Sequence, residues 1–250
     1  MVETLLRFFK IVELLEKSGE LRLKDIADRL EIDKSTIHRF LKTLLKYNYI
    51  KMNPVSKKYS LGLKFLNIAT GIIESIDVRN IAHPYLIELE EYTNETIHLT
   101  TFEGDRVVYI DKIESSKPIR MYSRIGNIAP IHCTAAGKVI LAFQKNEVVE
   151  RIVRELDFIP RTKNTITDRE EFIKNLKDVR DRGFGIDNSE NEESICCIAA
   201  PIRDYSRKVK YAVSISAIRT RMDLSKLVVF KDILIDKANI ISKELGFIEK

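Results

Sequence analysis

From Lys34 to Ile73 the chain contains no aspartate or glutamate, although Arg39 and seven lysines fall in the same stretch. Other features are scarce as well. Three cysteines in 250 residues, an odd number with Cys196 and Cys197 adjacent, exclude a disulfide framework. No apolar run approaches the roughly 20 residues of a membrane-spanning helix. The first residues are amphipathic and acid-containing rather than signal-like, so a cytoplasmic location is expected. Paired CxxC of a structural zinc site, GxSxG and a glycine-rich phosphate loop are all missing, and no fixed-period repeat or low-complexity tract occurs. What remains is an ordinary globular composition, long enough for one large domain or two modest ones.

The charge that is present is unevenly placed. Residues 1–60 hold thirteen Lys and Arg against eight Asp and Glu, which is the whole of the net +5. A one-signed patch on a compact helical unit is how a surface meets phosphate. Leu5, Leu6, Phe9, Val12, Leu14 and Leu15 predict a helix over 3–17, stopped by Ser18-Gly19. Leu23, Ile26, Ala27 and Leu30 fit a second, short helix. After the turn Glu31-Ile32-Asp33, a third opens at Lys34 with Asp33 as N-cap. On that helix Ile37, Leu41, Leu44 and Leu45 share one face, leaving Ser35, Thr36, His38, Arg39 and Lys42 outward. Strands at 49–52 and 57–61 flank Asn53-Pro54-Val55-Ser56 and complete a winged helix–turn–helix. The expected partner is double-stranded DNA. Arg39 can bond guanine O6 and N7 together, whereas Lys57 and Lys58 on the wing meet the backbone or the minor groove.

Leu63, Leu66, Ala69, Ile72 and Ile73 predict a linker helix, and Val78 to Tyr92 a second helix broken near His83-Pro84. The period then changes. Strands are expected at 96–102 and 106–110 around a Gly104-Asp105 turn, and at 119–122, 184–188, 195–202 and 209–217. Helices are expected from Thr134 and at 145–156, 168–182 and 223–245. The fold class is α+β: a winged helix–turn–helix over 1–62, a linker helix over 63–77 and an α+β domain with mainly antiparallel sheet over 78–250.

Four segments stand in order along the second half: Ser123-Arg124-Ile125-Gly126, then His132-Cys133-Thr134-Ala135-Ala136-Gly137-Lys138, then Arg182-Gly183-Phe184-Gly185-Ile186-Asp187-Asn188-Ser189-Glu190, and Val213-Ser214-Ile215-Ser216. Behind a winged helix–turn–helix and a linker helix, they resemble the IclR family of transcription regulators over essentially the whole chain. The resemblance implies a dimeric or tetrameric repressor or activator on a pseudopalindromic operator. It also implies a GAF-like carboxy-terminal domain that binds a small organic effector, with no catalytic step and no cofactor.

Carried over by position, the effector pocket is Met121, Ala129, Ala135, Ala136, Asp187, Ile195, Cys197, Ser214 and Ser216. Strand alternation agrees in placing Ile195 with Cys197 and Ser214 with Ser216, and in turning Cys196 away. Small residues opening a helix at Thr134 let a carboxylate reach its unpaired amides. Asp187 would repel such a ligand unless it is protonated or receives a hydroxyl or amine. Thr134-Ala135 and Ala217 depart from the commonest family wording, which frequently has smaller residues there. Lys138 reads as a helix-surface charge, and 187–190 reads equally as a solvated turn. Two other readings of the same domain stay open: a metal- or redox-sensing regulator using His132, Cys133, Cys196 and Cys197, and an enzyme drawing on these together with His98 and Asp187.

If the third helix reads bases, Arg39→Ala relaxes sequence preference by about 1–3 kcal/mol. Lys57→Ala weakens all DNA alike and flattens the salt dependence. Salt titrations against specific and unrelated duplexes check this, and equal losses from both substitutions would remove base reading from the third helix.

Overall fold

The structure, a computed structural model, describes residues 3–75, 77–117 and 121–249. Its contacts divide the chain into two units, Met1–Ile76 and Asp77–Lys250.

In the first unit, α1 (Glu3–Ser18), α2 (Leu23–Leu30) and α3 (Lys34–Lys46) pack around Ile11, Leu15, Ile26, Ile37 and Leu41, each fully buried. Asp33 caps α3 by accepting from the Thr36 amide at 2.8 Å. Glu31, in the left-handed region at φ 54°, makes the turn between α2 and α3. Strands β2 (Ile50–Met52) and β3 (Lys58–Leu61) form the wing, and β1 (Leu21–Arg22) adds a third strand in the order β1-β3-β2. Two residues are too few to show a period, which is why β1 has no signature in the sequence. At the wing tip the Asn53 side chain accepts from the amides of Val55 and Ser56 at 2.9 and 3.1 Å, and fixes the turn. Helix α4 (Lys64–Ser75) ends the unit.

The second unit opens with α5 (Val78–Thr93). It is one helix and does not break at Pro84: the proline removes a single intrahelical bond, and the carbonyl it frees belongs to exposed Asn80. Buried Ala82, Leu86 and Leu89 hold both sides of it to the core. Six strands follow, β4 (Thr96–Glu103), β5 (Arg106–Ile113), β6 (Ile128–Ala129), β7 (Gly185–Asn188), β8 (Ile195–Arg203) and β9 (Val209–Ile218). They form one antiparallel sheet in the order β6-β5-β4-β9-β8-β7.

Helices α6 (Ala135–Ala142), α7 (Asn146–Glu155) and α8 (Arg169–Arg182) lie between β6 and β7 in the chain. The expected terminal helix is divided into α9 (Leu224–Leu227), a 3-10 turn over Val228–Phe230 and α10 (Lys231–Glu244). α6 packs on β7, β8 and β9 with α8 against it, while α5 and α10 pack on each other and on the sheet.

Of the strand expected at 119–122, the described part, Met121 and Tyr122, is not extended into a sheet. Ile119 and Arg120 lie outside the described residues, and Met121 and Tyr122 have no ladder partner. Instead the Lys112 ammonium donates to the carbonyls of Met121 and Ser123, at 3.1 and 2.8 Å, so a side chain supplies what a neighbouring strand would have supplied.

Contact between α6 and β7 is close because of Gly185. A Cβ there would stand 2.6 Å from the Ala135 carbonyl oxygen and 2.6 Å from a Val139 methyl. Any side chain would push the start of α6 away from the sheet, and the start of α6 is where the second unit's cavity lies.

Candidate functional site

On the first unit, Ser35, His38, Arg39 and Lys42 are exposed along α3, and Thr36 is half-buried. The Ser35 hydroxyl donates to Asp33 at 2.6 Å, so its proton is committed to the cap. Hydrogen bonds from Ser35 and Thr36 hold the exposed Asp33 carboxyl down at about 2. Lys57 is exposed at the wing in the left-handed region, φ 56°, and Lys58 is half-buried on β3. Arg22 is the register partner of Lys58 across β1 and β3. Like charges directly opposite are unfavourable, so this pair adds a cation to the basic edge that the sequence pattern does not reveal.

In the second unit a cavity of ≈ 40 Å³ opens at the amino-terminal end of α6. Thr134 caps the helix, accepting from the Gly137 amide at 3.1 Å and donating to the Pro130 carbonyl at 2.6 Å. The first-turn amides of Ala135 and Ala136 have no carbonyl within α6 to bond, and both residues line the cavity.

The sheet supplies the opposite wall. Ser214 is the register partner of His98, Ser216 of Cys197, and Cys197 of Asp187, so polar side chains from four strands stand side by side. The His98 ring bridges Ser123 Oγ at 2.7 Å and Ser216 Oγ at 3.3 Å. Burial, with the Lys112 charge adding, pushes its pKa down to about 3, so it is a neutral bridge.

Asp187 is 2% exposed. Burial raises its carboxyl to about 7; the Glu190 amide, 2.6 Å from Oδ1, opposes the rise and the Glu190 charge reinforces it. Behind it lies an ion pair between Lys138 Nζ and both carboxylate oxygens of Glu190, at 2.6 and 2.7 Å. Lys138 is fully buried and therefore is not the surface charge its position suggested. Nor is 187–190 a solvated turn, since Asp187, Ser189 and Glu190 are buried and only Asn188 is exposed. Glu190 also accepts from the Asn188 amide, and its carbonyl accepts from the Thr165 hydroxyl at 2.6 Å.

Eight of the nine residues expected in the pocket line this cavity: Met121, Ala135, Ala136, Asp187, Ile195, Cys197, Ser214 and Ser216. Ala129 does not. On β6 opposite Val107, it is buried in the core and borders a separate cleft with His132 and Arg161. His98, Tyr109, Ser123, Asn191 and Glu192 join the lining without having been expected there. Alternation along β4 could have turned His98 toward this wall, but only once the pairing of β4 with β9 is known.

The sulfur and imidazole groups offer a poor metal site. Burial pushes the Cys133 thiol up to about 12 and the Cys197 thiol well above its ordinary value, which disfavours the thiolates a metal would need. Cys196 faces the other way, its Sγ 3.6 Å from Ser189 Oγ. Among the described residues no group of three or more His, Cys, Asp and Glu is placed to hold a metal ion.

A winged helix–turn–helix with a basic outward face, in one chain with an antiparallel α+β domain around a polar cavity, is the plan of a ligand-responsive transcription regulator. Comparison with known proteins agrees. Residues 70–243 match the bacterial transcriptional regulator IclR C-terminal domain, and residues 4–54 the IclR helix-turn-helix domain. The HTH-type transcriptional regulator XynR of Escherichia coli (strain K12) is 34% identical over 99% of this chain and 98% of its own. KdgR of the same strain is 35% identical over 98% and 94%. The crystal structure of the Thermotoga maritima IclR, 31% identical, covers 99% of this chain and 100% of its own with a TM-score of 0.66. The chain belongs to the IclR family of transcription regulators. Such relatives are named as regulators, which places this chain among non-enzymatic DNA-binding proteins.

Asp187 makes stability depend on pH with a definite sign. As pH rises from about 4 to about 7, the unfolded carboxyl ionises while the native one keeps its proton. The native state then binds more protons than the unfolded one, and stability falls through that window. Asp187→Asn removes this decline, so thermal melts should show the variant gaining on wild type as pH rises through the window. A difference that is the same at every pH would show that Asp187 does not titrate there.

Proposed function

We propose that operator binding by this regulator is controlled by a small organic acid seated at the start of α6. One observation carries the reading. The unpaired amides of Ala135 and Ala136, the hydroxyls of Ser214 and Ser216 and the near-neutral carboxyl of Asp187 converge on one cavity, and no lysine or arginine lines it among the described residues. The ligand's carboxylate is therefore met by helix amides and hydroxyls rather than by a cation. A protonated Asp187 donates a hydrogen bond instead of repelling it, and an ionised one accepts from a hydroxyl or amine on the ligand. A hydroxy- or amino-bearing monocarboxylic acid suits both ends.

Within this reading residues 1–62 bind DNA, 63–77 link, and 78–250 sense, in the cytoplasm. Ser35, Thr36, His38, Arg39, Lys42, Lys57 and Lys58 form the DNA face. The protein acts as a homodimer or a dimer of dimers: Leu5 and Phe9 on α1, and Leu63 and Leu66 around the start of α4, are each more than half exposed, an apolar surface that a second copy would cover. A two-fold protein pairs with a pseudopalindromic operator whose half-sites lie about 10 base pairs or a multiple apart.

A thermal-shift screen of small carboxylic acids on either side of neutral pH tests the sensing half. A ligand of the native state raises the melting temperature, and Ser214→Ala should diminish the shift; failure of every acid to shift a chain that still binds DNA would end the carboxylate reading. Footprinting tests the symmetry. Protection of two half-sites is expected, and protection of one isolated half-site by monomer would rule the paired arrangement out.

A further inference from the structure

One groove of the first unit, of ≈ 310 Å³, is lined by Thr36, Arg39, Phe40 and Thr43 of α3 and by Thr4 and Arg7 of α1. The α3 residues recur at i, i+3, i+4 and i+7, and the α1 pair at i and i+3, so each helix presents one stripe to the groove. Thr36 and Arg39 belong to the expected DNA face; Thr4 and Arg7 lie outside the helix–turn–helix proper. Phe40, half-buried against the core, makes an apolar floor, and among the described residues no acidic one lines the walls.

The Arg7 side chain is 34% exposed. Its ion pair is with Glu3 on its own helix, the Glu3 side chain being 75% exposed. Exposed pairs of this kind contribute little to stability. The neighbouring aromatic Phe8 takes the packing role instead, with its ring 6.2 Å from that of Tyr49.

We propose that Arg7 is a phosphate contact of the DNA-binding surface, held beside Arg39 so that one helix reads bases while the first turns of α1 clamp the adjacent backbone. The proposal rests on the reading of α3 as the groove-reading helix. A guanidinium forks onto two phosphate oxygens, and an incoming phosphate replaces Glu3 as its partner. Thr4 adds a hydroxyl on the same wall.

The test is a salt titration of the full chain against two short duplexes, one of random sequence and one selected by this protein from a random pool. Arg7→Ala should weaken both by the same several-fold factor and reduce the magnitude of the log–log salt slope by about 0.9, the value for one lost phosphate contact. The preference for the selected duplex stays unchanged. Arg7→Lys keeps the slope, because a lysine still neutralises phosphate, and Glu3→Gln tightens binding to both duplexes.

An Arg7→Ala protein that melts like wild type and keeps its slope overturns the proposal, as does a loss confined to the selected duplex. Arg39→Ala, run alongside, tells the two readings apart. If it lowers preference while Arg7→Ala does nothing, the Arg7 contact alone falls; if it too leaves binding untouched, the reading of α3 falls and takes the Arg7 contact with it.

Discussion

Lys138 and Glu190 come from segments far apart in the chain and meet as a buried ion pair, and the geometry of the second unit's cavity depends on that meeting. Taking two charges out of water costs several kcal/mol per ion, which mutual attraction offsets only when the remaining hydrogen bonds are also satisfied. Here they are. Both oxygens of Glu190 accept from Lys138, one also accepts from the Asn188 amide, and the Glu190 main chain bonds Asp187 on one side and Thr165 on the other. Lys138 belongs to the helix whose first turn opens into the cavity, and Glu190 to the turn that carries Asp187. The pair thus fixes the distance between the two walls a ligand would touch. Gly185 sets the same spacing from the sheet side by removing the Cβ that would separate β7 from α6. Breaking one partner of a buried pair costs about 3–5 kcal/mol, and here the loss would fall on the cavity.

The same burial decides how the cavity recognises anything. His98 is driven neutral, Cys197 is kept as a thiol, and the Tyr109 hydroxyl is held well above its ordinary range by burial. Asp187 alone is poised near neutrality. The ammonium groups of Lys138 and Lys112 are both engaged, by the Glu190 carboxylate and by the Met121 and Ser123 carbonyls. A site built this way offers donors and acceptors of fixed geometry, and among the described residues no lysine or arginine lines it.

Much of this architecture was legible in the sequence because local signals agreed with tertiary ones. Asp33, Thr134 and Asp168 each cap a helix with a side-chain oxygen, as their places at the expected helix starts suggest. Alternation correctly paired Ser214 with Ser216 and turned Cys196 away from Cys197. The failures have physical causes too. All eight residues of α6 are buried, so no amphipathic stripe marks which way Lys138 points, and a lysine then reads as a surface charge. Its partner lies beyond any helical spacing. At 121–123 the backbone is held by Lys112, a long-range contact that no propensity encodes. Resemblance alone places Ala129 in the pocket, and it sits on a strand of two residues, too short for alternation to show which face it takes.

Whether so small a cavity can govern DNA binding by the other unit is a matter of magnitudes. Coupling between two sites is typically about 1–3 kcal/mol, and a ligand shifts an equilibrium only by its difference in affinity for the two states. A carboxylate at a helix amino terminus contributes about 0.3–1 kcal/mol when exposed and up to about 2 when partly buried. A hydrogen bond to a charged group adds about 1.5–3 kcal/mol. The helix end alone therefore reaches only the lower part of the coupling range, and one hydrogen bond from Ser214 or Asp187 present in one state and absent from the other carries it to the upper part. No large rearrangement of the sheet is required. In this structure the Lys138–Glu190 pair ties the 187–190 turn to α6, so any ligand that acts through that turn acts against the pair.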